Sequence, residues 1–364
     1  MVETRMPESV RRRPAAGAGV VGAAVALVGA TRAWPAITGV DDGFGVVTSV
    51  LAVVALAAFL GLRYDRIGHR LAAAVAGAAS AALVGYAFYG GYQRPVSEAA
   101  LSSGPNVAAA GGAIGLVAAY LAYRDVPDDQ LLTMGKATVI YTVVGIGGLL
   151  SIYVVTLLML IVLQIVGVES TRLLANALST LALGIGMGTT AFVALRTIGV
   201  GLDYVDVTVP SLRDLGYAVG GVIALFAVLI AVTLAFSVLG VQSGEHAIVD
   251  QAQGNPDILL VMIPASYVFV GPGEELLFRN VIQKRLYDHF SDVGAVVLAS
   301  VIFGAVHFPA YGWNPSNVLA VFCLSLVLGT VYLRTKNLLV PAFVHGTFNA
   351  IQFWLLYVQL TGGA

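Results

Sequence analysis

The chain has 364 residues, of which 58% are hydrophobic and 11% charged, against about 25% charged residues in an ordinary soluble domain. Its formal net charge of -1 leaves no basic excess of the kind a nucleic-acid partner requires. With a mean hydropathy of +0.88, the sequence is that of a polytopic membrane protein.

Apolar runs long enough to cross a bilayer, roughly 17 to 25 residues, lie near 15–33, 44–62, 71–91, 106–123, 138–167, 174–198, 214–240, 257–278, 293–310, 317–333 and 338–360. They predict an all-α transmembrane helix bundle of about eleven spans. A β-barrel is disfavoured, because barrel strands alternate in character over about ten residues and these runs are continuous. The first run follows a basic stretch in the manner of a signal peptide, but with further spans behind it we read it as the first transmembrane helix. Placing the N-terminus in the cytoplasm puts sixteen of the nineteen basic residues on the inner side, leaving Arg32, Arg94 and Arg172 outside, as the positive-inside rule expects.

Residues 1–135 are rich in Ala and Gly, side chains that suit close helix packing in lipid, and carry no intramembrane carboxylate or histidine. We expect an accessory module there, gating substrate access or binding a partner, and a functional domain over 136–364 with its motif core at 270–350. The connections 199–213, with Asp203, Asp206 and Pro210, and 242–256, with Glu245, His246 and Asp250, read as solvated loops, and His69, His246 and His289 as loop residues. The single cysteine, Cys323, falls within a span and excludes an intrachain disulfide.

At membrane depth the polar residues concentrate after 270. Glu275 and Arg279 stand four apart in GPGEELLFRN, so on a helix they share a face and can pair, which leaves Glu274 without that partner. Phe303 and His307 share a face in the same way, and so do His345 and Asn349. Each charged residue at mid-membrane is unfavourable by roughly 2.5 to 3.5 kcal/mol, and function is the usual reason to keep one there. The stretch QKRLYDHFSD makes the flanking helices an antiparallel pair folded near position 290.5, with 274 and 307 equidistant from that point. At ~1.5 Å per residue both lie about 25 Å from the turn, so Glu274 and His307 are expected to face each other. His345 and Asn349, on a separate helix, converge on them in the inner half of the bilayer if the polar end around Lys284, Arg285 and Asp292 projects past the membrane surface.

A carboxylate beside a histidine can hold and deprotonate a water, and a second histidine with an asparagine can donate hydrogen bonds to a forming oxyanion. Glu274, His307 and His345 could equally hold Zn²⁺ through three protein ligands. Spacing does not choose between the two.

At these residues the sequence resembles the CPBP family, the type II CAAX-prenyl endopeptidases and their bacteriocin-processing and immunity relatives, an intramembrane protease group. Its pattern, EExxxR then FxxxH then HxxxN, stands here as Glu274-Glu275 to Arg279, Phe303 to His307, and His345 to Asn349. Asn280 takes the place of a common glycine. The resemblance implies Glu274 as general base, His307 holding the attacking water, His345 and Asn349 stabilising the tetrahedral intermediate, and Glu275 with Arg279 as a supporting ion pair beside Phe303. It implies a membrane-associated protein or peptide substrate, with members described both as metalloproteases and as metal-free glutamate-type enzymes. Two other functions fit the same polar cluster: a proton-coupled transporter, and an inactive protease-like scaffold or immunity protein.

Overall fold

The computed structural model describes residues 14–32, 44–92, 104–169, 171–241, 247–311 and 314–362, and every regular element among them is a helix. Ten of these helices are long and apolar enough to cross a membrane, and an eleventh, Asp292–Val306, is apolar but shorter. The expected multi-pass helical bundle of about eleven spans is what the chain forms. Glu245 and His246 lie outside the described residues. The chain divides into two compact units, one of Met1–Thr133 with Ser237–Gln242, the other of Met134–Phe236 with Ser243–Ala364.

The first unit holds α1 (Pro14–Arg32), α2 (Phe44–Arg63), α3 (His69–Tyr92) and α4 (Gly104–Tyr123). Its core is built from small side chains, with Ala26, Ala52, Ala87 and Ala108 around Leu83. Between α1 and α4 the backbones touch: a Cβ at Gly22 would lie 2.9 Å from the Gly111 carbonyl oxygen. Such contact is how helices associate in lipid, where no hydrophobic transfer term drives them together. His69 is the first residue of α3 and not a loop residue.

The second unit holds most of α5 (Asp128–Ile165), then α6 (Arg172–Thr197), most of α7 (Leu212–Leu239), the short α8 (Ala247–Gly254), α9 (Asp257–Leu286), α10 (Asp292–Val306), α11 (Pro315–Thr335) and α12 (Leu339–Thr361). The central rod is α9, which is irregular: Ser266–Val270 and Leu276–Gln283 are wound as π-helix, a feature found mostly as single turns and often at functional sites. Its Leu277, Phe278, Val281, Ile282 and Leu286 pack on Met187, Ala191 and Leu195 of α6 and on Ala299 and Ile302 of α10.

The glycines around Pro272 do more than loosen α9. A Cβ on Gly271 would sit 2.6 Å from the Ala342 carbonyl oxygen, and one on Gly346 would sit 2.9 Å from the Ser266 carbonyl oxygen. These two positions bring α9 against α12 at backbone contact. On the other side a Cβ on Gly273 would meet Gly184 Cα of α6 at 3.0 Å.

Besides His69 and the 242–256 connection, which holds the helix α8, two further expectations are corrected. His307 is not inside a span but caps the end of α10, because Pro309 has no N–H to continue the α-helical ladder and the chain passes into a 3-10 turn over Phe308–Tyr311. At 15 residues α10 is about 22 Å long, short of an about 30 Å hydrocarbon core. Residues 199–211 are not a freely solvated loop either. Asp206 pairs with Lys284 at 2.7 Å and accepts from the Tyr332 hydroxyl at 2.5 Å, while its carbonyl accepts from Leu338 N–H at 2.7 Å. Lys284 also donates to the Tyr204 carbonyl at 2.6 Å, and Asn337 to the Thr208 carbonyl at 2.9 Å. Burial pushes the Tyr204 phenol up to about 12. The segment straps the ends of α9, α11 and α12 together.

Candidate active site

Three elements bring the candidate groups together. Glu274 and Glu275 stand between the two π segments of α9, His307 ends α10, and His345 lies one turn and a half into α12. Glu274 Oε2 is 3.9 Å from His307 Nε2 and 3.8 Å from His345 Nε2. Glu274 is 5% exposed, His345 8%, and the His307 side chain 21%. Among the described residues Glu274 Oε2 is buried and accepts no hydrogen bond.

The outer nitrogens fix both rings. His307 Nδ1 lies 2.7 Å from the carbonyl oxygen of Phe303. A carbonyl only accepts, so Nδ1 donates, and the ring presents Nε2 to Glu274. His345 Nδ1 is 2.9 Å from Glu275 Oε1. Glu275 in turn accepts at Oε2 from Arg279 Nε, also at 2.9 Å, with both side chains fully buried. The guanidinium keeps that carboxylate an acceptor, so His345 Nδ1 also donates. Arg279 Nη2 reaches Ser325 Oγ of α11 at 2.9 Å. A buried ion pair is favourable only when further hydrogen bonds satisfy its remaining groups; His345 and Ser325 supply two of them, while Arg279 Nη1 has no partner among the described residues.

Phe303 is the wall of this chamber. Its ring lies 4.4 Å from the His307 ring and 6.1 Å from the His345 ring, and the Arg279 guanidinium carbon is 5.1 Å from its centroid. Asn349 follows His345 by one turn on the same face of α12, half-buried, and makes no hydrogen bond among the described residues.

Several residues here were not singled out from the sequence. Ser325 gives no motif signal. Glu275 was read as the partner of Arg279 alone, although it also orients His345. Asn280 donates to the Tyr332 hydroxyl at 3.1 Å, and that hydroxyl donates to Asp206. The residue standing where the family has glycine thus joins the strap to α9, one position from Arg279.

The donor set of two imidazoles and a carboxylate is one that zinc accepts, but the spacing is wide. Tetrahedral bonds of about 2.1 Å put ligand atoms about 3.4 Å apart, and the two measured separations exceed that. No three His, Cys, Asp or Glu side chains among the described residues form a set able to hold a metal ion. A water suits the chamber better: two hydrogen bonds of about 2.8 Å meeting near a right angle span about 4 Å.

Comparison with known proteins finds matches among membrane peptidases. The model of the Rce1-like type II CAAX prenyl endopeptidases matches residues 256–351. The Bacillus subtilis (strain 168) protein named "Putative membrane peptidase YdiL" is 34% identical over 134 residues. That match covers 36% of this chain and 51% of the relative, so the chain spans about half the length of the protein it matches. No solved structure matches. The resemblance to the CPBP family of intramembrane proteases is therefore a finding of comparison as well as of motif order, and residues 256–351 carry it.

Proposed function

We propose that the chain is an intramembrane endopeptidase that hydrolyses a peptide bond of a membrane-associated substrate, CAAX-like or other, with water activated by Glu274. The observation that carries this reading is the unpartnered Glu274 oxygen within 4 Å of two imidazole nitrogens.

In this reading a water sits between Glu274 Oε2 and His307 Nε2, donating one hydrogen to each. Glu274 takes a proton as the water oxygen attacks the scissile carbonyl carbon. The new oxyanion is met by His345, which lies between two carboxylates and so can hold protons on both nitrogens, giving Nδ1–H to Glu275 and Nε2–H to the oxyanion. Asn349 adds an amide donor from the next turn. On collapse the C–N bond breaks, Glu274 returns its proton to the leaving amine, and the products are a carboxylic acid and an amine, which leave as carboxylate and ammonium once the remaining water proton passes from the one to the other. Arg279 and Ser325 hold Glu275 in place throughout, and no step requires a metal.

The test is a panel of membrane-anchored peptides, prenylated and unprenylated, presented to purified protein in liposomes, with cleavage sites mapped by mass spectrometry. The wild type is expected to cut at a defined bond and Glu274→Ala to leave every peptide intact. Cutting by both proteins at the same bond would overturn the reading.

A further inference from the structure

An apolar groove of about 820 Å³ runs between α7 and α11, away from the chamber at Glu274. Gly216, Gly220 and Gly221 of α7 form one side and Val327 and Cys323 of α11 the other. Of the residues lining it, Arg213 alone is charged. A Cβ at Gly216 or Gly220 would meet nothing within 4 Å, so the absence of side chains there opens space and does not serve a helix contact.

Arg213 marks one end. Its guanidinium carbon lies 5.5 Å from the Tyr217 ring centroid, and among the described residues it forms no ion pair. The adjacent Asp214 is turned back, accepting from both the N–H and the hydroxyl of Ser211 at 2.9 Å. The cation is thus held against Tyr217, with the neighbouring carboxylate engaged by Ser211 and not paired to it.

The helices are antiparallel, since Asp206, just before α7, meets Tyr332 near the end of α11. Gly221 faces Val331, whose Cγ2 would lie 3.1 Å from a Cβ there. Arg213 precedes Gly221 by eight residues and Cys323 precedes Val331 by eight, so the groove is about 24 Å from cation to thiol at 1.5 Å per residue. That is most of an about 30 Å hydrocarbon core. An apolar slot of this length with one fixed positive charge at its mouth has the chemistry of an amphiphile with an anionic head.

We propose that this groove binds an anionic phospholipid, its phosphate on Arg213 and one acyl chain lying along Gly220 and Gly221 toward Cys323. The site is independent of the protease reading, because none of its residues belongs to the candidate chamber.

Cys323, the chain's only cysteine, is a built-in reporter at the far end. Alkylation of purified protein in detergent by N-ethylmaleimide is timed with added dioleoylphosphatidylglycerol or dioleoylphosphatidylcholine. The anionic lipid is expected to slow the reaction about fivefold more than the zwitterionic one, the size of one basic residue's attraction to an anionic headgroup. Arg213→Gln should erase that difference, and Arg213→Lys should restore it. Equal protection by the two lipids in the wild type, or a difference that survives Arg213→Gln, overturns the proposal. Protection by a farnesylated peptide and by neither lipid would also overturn it, and would make the groove a substrate path.

Discussion

Glu275 Oε1 lies 2.9 Å from His345 Nδ1, so the second acid of the pair, already neutralised by Arg279, aims the imidazole whose other nitrogen faces Glu274. The two adjacent carboxylates therefore have separate tasks. One has both oxygens engaged, by Arg279 and by His345, and the other is left with a free oxygen in the chamber.

Glu275→Gln is expected to lower kcat by about 10- to 100-fold with KM little changed, because small misplacements of a catalytic group can lose about two orders of magnitude. Steady-state cleavage of a mapped substrate measures it. A KM effect alone would place Glu275 in substrate binding instead.

Removing the cation should damage the fold itself. Arg279→Met leaves a fully buried carboxylate unpaired, a change that destabilises by about 3–5 kcal/mol. Denaturant unfolding in detergent checks this, and a loss below about 1 kcal/mol would mean that the Glu275–Arg279 contact is not formed.

The strap predicts coupling between distant residues. Asn280→Gly removes one hydrogen bond and Tyr332→Phe two, each contributing about 0.5–1.5 kcal/mol, and because they share one bond the double variant should lose less than the sum. Strict additivity in the same unfolding experiment would contradict the Asn280–Tyr332–Asp206 chain.

Helix approach is tested by Gly271→Ala. Its Cβ meets the Ala342 carbonyl, so α9 and α12 must part, with a loss of about 1–3 kcal/mol and of cleavage, although every polar residue of the site is retained. Gly188→Ala, with nothing within 4 Å of the new carbon, should be neutral or stabilising by up to about 1 kcal/mol. Equal effects would show that α9 and α12 are not in backbone contact.

Much of this was legible in the sequence for stated physical reasons. Continuous apolar runs gave the spans because bilayer thickness fixes their length. The equal distance of Glu274 and His307 from the polar turn pointed to their meeting on an even helical rise, and the two do meet although Leu276–Gln283 is wound as π-helix. What could not be read depends on contacts between segments with no shared period. The residues 199–211 look like an ordinary polar connection until Asp206 is seen beside Lys284 and Tyr332, and Ser325 is one hydroxyl in an apolar helix. The end of α10 at His307 was readable from Pro309, whereas the π winding of α9 has no comparable marker.

The most direct measurement of the central claim is the turnover of Glu274→Gln, which keeps the shape of the side chain and removes its basicity. If Glu274 activates the water, kcat should fall by about 10²- to 10⁴-fold, with an unfolding curve matching the wild type and with wild-type turnover insensitive to a strong chelator. Turnover near the wild-type rate in Glu274→Gln would contradict the account.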